Sequence, residues 1–218
     1  MAEYALNGAS VSGVDLGADQ VQLTKLNFNL RGLSYDEIKE GKAESLDFPD
    51  QTFDLVYCFG VLHHTLEPRK AISEIYRVLK PDGKAIVMLY ARGWKHYVKR
   101  CFIHGILLGK YFRAGCNWQA VYNQVSEVHG NSPKTEVYTK SQVLGLFSGF
   151  PRVVLEKKRM GEFFEYAPYR TFRFPRWLRG MVAGLGLESW MGENWLIKAH
   201  KALPPAKTRL RDVLFRHY

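Results

Sequence analysis

Two short apolar runs, Phe53 to Phe59 (FDLVYCF) and Ala85 to Tyr90 (AIVMLY), constrain the fold of this chain more than any other feature. Neither alternates with polar residues, so each reads as a strand buried on both faces, the pattern of a parallel sheet. Parallel neighbours need a crossover connection. The residues between the runs supply one. Pro68 suits a helix start, and Ala71, Ile72, Ile75, Val78 and Leu79 recur at helical spacing until Lys80-Pro81-Asp82-Gly83 turns the chain. Strand, helix, turn and strand in that order form a right-handed βαβ unit.

Elements of the same kind lie upstream. Val11 to Asp15 is a short β-run closed by an acid, and Ala18 to Leu30 repeats Val21, Leu23, Leu26 and Leu30 close to a helical period. Ile38 to Glu44 is a polar strand candidate suited to an edge. Gly8 reads as a helix C-cap and Gly13 as a strand glycine. The second half is less regular. Arg92 to Phe112 predicts a basic, aromatic helix or helix pair, Asn131-Ser-Pro a loop, and Thr139-Lys-Ser-Gln142 a capping box opening a helix through Phe147. Val153 to Lys157 and Trp195 to Lys201 read as two further strands. The Arg-, Phe-, Pro- and Gly-rich segment from Tyr166 to Gly186 has no firm reading, and the tail from Pro204 reads as loose.

Composition narrows the class. At 218 residues with 46% hydrophobic and 24% charged residues, the chain is long enough for a real core, which excludes disordered, collagen-like and disulfide-scaffold classes. No apolar run reaches the roughly 18 to 20 residues of a bilayer span, and no secretory signal is visible at the start. Cys58, Cys101 and Cys116 are widely spaced without metal-ligand patterning, so neither a zinc site nor a disulfide framework is expected, and a reducing cytoplasm is the simplest location. Charge is unevenly placed. Residues 1–91 carry 9 Lys+Arg against 13 Asp+Glu, whereas 92–218 carry 22 against 8. From Arg92 to Ser126 there is no acid at all, and six bases sit among Trp94, Tyr97, Phe102, Tyr111, Phe112 and Trp118. Such a stretch predicts a lid that associates weakly with an anionic membrane surface, or alternatively a solvated basic face on a soluble cap. No nucleic-acid motif accompanies the basicity, so nucleic-acid binding is not expected.

The runs SVSGVDLGADQV, KAESLDFPDQTFDLVYCFGVLHHT and AISEIYRVLKPDGKAIVMLY resemble the class I S-adenosylmethionine-dependent methyltransferases, in particular their type 11 group. The resemblance covers residues 1–91 nearly continuously, and VYTKSQVLGLFSGF at 137–150 is similar to the region after the core in one subgroup. It implies an α/β fold: a doubly wound, mostly parallel Rossmann-like sheet with an antiparallel C-terminal hairpin and a helical basic insertion. The family's first strand and its glycine-rich loop have no counterpart here, so the resemblance further implies a first strand missing and weakened cofactor binding. The corresponding divisions are a partial core at 1–91, a basic aromatic insertion or lid at 92–150, closing strands at 151–203 and a flexible basic tail at 204–218.

Ligands of such sheets bind outside the carboxyl ends of the strands. By resemblance, Asp15 and Leu16 hold the ribose of S-adenosylmethionine, Ala43 and Glu44 flank its adenine, and Cys58, Phe59 and Gly60 approach its methionine part. A carboxylate suits a vicinal diol because it offers two acceptor oxygens. Asp15 also reads as a turn or helix-cap acid, Glu44 as a solvated loop acid and Cys58 as a core thiol. His63 and His64 follow the strand at the mouth of the cleft, where a histidine can take the proton of a hydroxyl or amine acceptor. The alternative is that one histidine caps the next helix and the other packs. Tyr90 and Arg92 could line the acceptor side, or be an edge aromatic and a solvated Arg. The function expected is methyl transfer to a small or lipid-phase acceptor. The other readings are a catalytically inactive binding module on the same fold and a nicotinamide enzyme using Asp15 on the NAD ribose, against which VLHHT and RVLKPDGK argue.

Overall fold

The computed structural model describes residues 1–93, 135–158 and 194–202, together with short pieces between 102 and 121. The elements in chain order are α1 (Ala2–Leu6), β1 (Ser12–Asp15), α2 (Ala18–Leu30), β2 (Glu37–Glu40), β3 (Phe53–Phe59), α3 (Pro68–Val78), β4 (Leu79–Tyr90), α4 (Lys110–Arg113), α5 (Lys140–Leu146), β5 (Arg152–Lys158) and β6 (Asn194–His200). Most of the helix expected over Arg92 to Phe112, the Asn131-Ser-Pro loop, Tyr166 to Gly186 and the tail from Pro204 lie outside the described residues.

The α/β class and the parallel pairing are as expected, but the strands form two sheets rather than one. β1 pairs with β2 in parallel, with Asp15 opposite Glu40. The second sheet has the order β3-β4-β6-β5, in which β3 and β4 are parallel and β6 runs antiparallel to both β4 and β5. Among the described residues β3 is an edge strand, and none of its residues is fully buried, which corrects the expectation that both its faces are buried. Tyr57 is 48% exposed, covered on one side by Tyr4 of α1 at a ring separation of 5.9 Å. β4, paired on both sides, does bury both faces: Val87, Met88 and Leu89 are all buried.

The main core joins α3 and α5 to this sheet. Ala71, Ile72 and Ile75 of α3 meet Ala85, Val87 and Leu89 of β4, Ile197 and Ala199 of β6, and Val143, Phe147 and Phe150. α3 begins with Pro68 at a position where a missing N–H costs nothing, and its buried stripe is the one the sequence spacing predicts. Thr139 caps α5 through the predicted box, with the Gln142 backbone N–H donating to its hydroxyl and the Gln142 side chain accepting from its backbone N–H.

Three local readings change. The Lys80–Gly83 turn lies inside β4 as a bulged excursion: Phe53 pairs with Leu79 and Leu55 with Lys84, so the extra residues loop out. β2 stops at Glu40 because Gly41 donates its N–H to the Asp15 carbonyl and the chain turns there. In α2 the buried residues are Val21 and Phe28, two turns apart, which meet Val11 and Ile38 in a second small core; Leu23, Leu26 and Leu30 are exposed. A two-stranded sheet covers only a narrow stripe of a helix, and helical period alone does not say which stripe. Gly32 ends this helix in the left-handed region at φ 62° and allows Leu33 N–H to reach the Phe28 carbonyl.

Candidate functional site

The candidate residues all fall at carboxyl ends of parallel strands, distributed over the two sheets. Asp15 closes β1. Its Oδ1 accepts from Gly17 N–H at 2.9 Å, a turn bond before α2, which has no side-chain cap bond, while Oδ2 has no partner among the described residues. Leu16 beside it is largely exposed. The chain after β2 comes close to this point through the Gly41 to Asp15 backbone bond, after which Ala43 packs on the main core and Glu44 is half-buried. Lys42 precedes them, exposed, in a bridge to Ser45.

The loop from 41 to 50 is held to α3 by the side chains of Arg77 and Glu74. Arg77 donates from Nη2 to the Leu46 carbonyl at 2.7 Å and from Nη1 to the Phe48 carbonyl at 2.8 Å. It also pairs with Glu74 at 2.8 Å and Asp50 at 2.7 Å. Glu74 Oε2 accepts from Leu46 N–H as well. The adjacent guanidinium is the main reason the Glu74 carboxyl lies below its usual range.

At the end of β3, Cys58 packs on the core, and burial pushes its thiol up to about 12, slightly opposed by a hydrogen bond to the Leu62 backbone. That is a structural thiol and no nucleophile. Phe59 stacks on Tyr57 with ring centroids 5.4 Å apart. Gly60 turns the chain at φ 78°, a conformation costly for any residue with a Cβ, and the following residues coil back under the sheet end.

His63 and His64 occupy unlike positions. His63 is fully buried and stacks on Tyr90 at 3.8 Å with ring planes 27° apart. His64 is half-buried, and its Nδ1 lies 3.3 Å from Thr135 Oγ1. Neither caps α3, whose N-cap is Glu67 with no side-chain cap bond. Arg92 is exposed; only its backbone is engaged, N–H to the Tyr138 carbonyl at 2.9 Å.

The strand of contacts that organises this end of the sheet was not visible in the sequence. Glu136 N–H donates to the His63 carbonyl and Tyr138 N–H to the Tyr90 carbonyl, each at 2.9 Å. Tyr138 O–H donates to Glu136 at 2.6 Å, and Trp195 Nε1 donates to the Tyr138 carbonyl at 2.8 Å. Burial, and then the Glu136 carboxylate, raise the Tyr138 phenol above its ordinary range. Residues 135–138 thus roof both histidines. Beside them a cavity of about 690 Å³ opens between the first turn of α3 and α5, lined among others by Leu66, Glu67, Arg69, Glu136, Tyr138 and Gln142.

Asn194 is a second residue that sequence spacing missed. It lies directly opposite Tyr90 in the β4–β6 pair, on the same face of the sheet, and is 8% exposed with no partner for Oδ1 among the described residues. A buried acceptor without a donor costs more than an apolar group of the same shape. Asn194→Leu is expected to raise stability by about 1 kcal/mol in urea denaturation. A loss of that size would mean that the carboxamide is satisfied.

Comparison with known proteins places this geometry. Residues 1–87 match the family described as "Methyltransferase domain". The structure is similar to a crystal structure of a SAM-dependent methyltransferase from Methanosarcina mazei, at a TM-score of 0.58 and 19% identity over 93% of this chain and 87% of that one. In sequence the chain is 37% identical over 76 residues to the uncharacterized methyltransferase YcgJ of Bacillus subtilis, which is 35% of this chain and 30% of that protein. It is 30% identical over 94 residues to the ubiquinone biosynthesis O-methyltransferase of Klebsiella pneumoniae, 43% of this chain and 39% of that one. The matched stretches span less than half the length of these curated relatives.

Proposed function

We propose that the chain is an S-adenosylmethionine-dependent methyltransferase acting on a small or lipid-phase acceptor that carries an O–H or N–H, because residues 1–87 match the methyltransferase domain family and the fold is similar to that of a SAM-dependent methyltransferase. The observation that carries this reading is that the matched stretch places Asp15 at the end of β1, Ala43 and Glu44 in the loop after β2, and Cys58 to Gly60 at the end of β3, with the two histidines shortly beyond.

The residues fit the cofactor where they can be tested. Asp15 offers an unpartnered carboxylate oxygen to a ribose diol, Gly60 keeps the backbone bare at the end of β3, and Ala43 adds little bulk beside an adenine. Bound there, S-adenosylmethionine supplies a methyl group activated by a sulfonium. The chain's own part is orientation and proton removal. His64, half-buried and held at Nδ1 by Thr135, is the residue we assign to take the acceptor's proton; His63, sealed against Tyr90, positions it. The cavity beside Glu136 and Tyr138 has the volume of a small-molecule site, and we assign the acceptor to it, with Tyr90 and Arg92 toward the sheet end.

A second reading is favoured by the sheet order. Asp15 closes β1 of the smaller sheet, Ala43 and Glu44 follow β2 in the loop beyond it, the remainder belong to the other sheet, and among the described residues no ladder joins β1 to β3. A binding module that keeps the fold without catalysis accommodates that separation. Calorimetric titration with S-adenosylmethionine decides between the two. Saturable binding supports the methyltransferase, whereas the absence of any heat with a folded sample supports the module.

A further inference from the structure

We propose that Phe102, Ile106, Leu107 and residues 109–118 form a docking surface for anionic lipid bilayers. This inference does not depend on the reading of the cofactor site. Its first observation is exposure. Phe102, Ile106, Leu107, Phe112 and Trp118 all hold their side chains in solvent, with Leu107 70% and Phe112 66% exposed. Single exposed apolar residues are ordinary, but five large ones within seventeen positions are not. Phe102, Ile106 and Leu107 follow helical spacing, and Tyr111 stacks on Trp118 at 4.2 Å and meets Phe112 edge-on at 5.6 Å. Apolar side chains and aromatic rings presented together suit the boundary between headgroups and acyl chains.

The second observation is charge, and it selects the occupant. Lys110 and Arg113 stand on α4 between the apolar positions, and the surrounding residues 92–126 contain six bases and no acid. A protein partner that covered this surface would need its own acidic rim. An anionic bilayer meets both demands at once, with lipid tails for Phe102, Ile106, Leu107 and Phe112 and phosphates for the cations. No described helix is long and apolar enough to cross a membrane, so the contact is one of lying on the surface.

The test is co-sedimentation of the whole chain with vesicles of phosphatidylcholine alone and of phosphatidylcholine containing about 30% phosphatidylglycerol, at about 50 mM and about 500 mM salt. Binding to the anionic vesicles is expected to exceed that to neutral ones by about tenfold at low salt and to fall by a similar factor at high salt. The substitutions Lys110→Glu and Arg113→Glu together should remove the preference for anionic lipid, and Leu107→Ser with Phe112→Ser should weaken binding about tenfold. All four positions are at the surface or half-buried, so the thermal midpoint of each pair is expected to match the parent chain. Equal binding to neutral vesicles, or no binding at low salt, overturns the proposal. So does a lipid-free dimer, seen by size-exclusion chromatography, that Leu107→Ser with Phe112→Ser dissolves, because the apolar surface would then belong to a second copy.

Discussion

Asp15→Ala is expected to lower affinity for S-adenosylmethionine about 100-fold, the loss of two hydrogen bonds to a charged acceptor at about 1.5 kcal/mol each. The carboxylate stands at the end of β1 with one oxygen on Gly17 N–H and the other unpartnered, so a vicinal diol can be met without displacing any internal bond. Alanine removes both oxygens. Asparagine keeps the shape and one acceptor, so Asp15→Asn should lose only about tenfold. The same side chain accepts from Gly17 N–H in the turn before α2, and alanine should therefore also lower the thermal midpoint slightly. Measuring the thermal midpoint and the calorimetric affinity on the same samples separates the two effects. An Asp15→Ala chain that binds the cofactor as tightly as the parent would remove Asp15 from the site and leave the ribose assignment without support.

What the sequence disclosed follows how local each signal is. β3 was legible to the residue because an apolar run with one leading acid, Asp54, is bounded by Thr52 and Gly60, and α3 because Pro68 and a single apolar stripe define both its start and its buried face. The Thr139 capping box is local as well, since all its bonds lie within four residues. Edge position is not a local property. FDLVYCF reads as doubly buried, yet β3 pairs only with β4 and leaves Tyr57 half in solvent. Likewise α2 presents more apolar residues than its small sheet can cover, so Val21 and Phe28 go in and Leu23, Leu26 and Leu30 stay out.

The site shows the same division. Strand-end residues could be picked out because the strands themselves could. The roof over the histidines could not, because Thr135 to Tyr138 contains no run or period and takes its conformation from the His63, Tyr90 and Trp195 groups to which it bonds. That dependence explains why the two histidines, adjacent in sequence and indistinguishable there, differ in the fold. One is closed in by an aromatic ring, and the other faces the Thr135 hydroxyl.

Arg77→Ala is expected to lower the thermal midpoint of the chain and to loosen the loop that carries Ala43 and Glu44. The guanidinium is only 30% exposed and makes two bonds to main-chain carbonyls, at Leu46 and Phe48, besides its carboxylate pairs. Truncation leaves those carbonyls short of a donor and Glu74 beside no cation. Arg77→Lys should recover only part of the loss, because one ammonium cannot span Leu46, Phe48, Glu74 and Asp50. The acid limb of stability supplies an independent check. Arg77 holds the Glu74 carboxyl below its usual value, so the contribution of the pair is complete above the unfolded carboxylate value of about 4.3 and fades as pH falls through the lower folded value. The difference between parent and Arg77→Ala should accordingly be constant from neutrality down to about pH 5 and narrow below about pH 4. A difference that stayed constant into strong acid would show that the carbonyl bonds alone stabilise the loop. No difference at any pH would mean that the loop is anchored without Arg77.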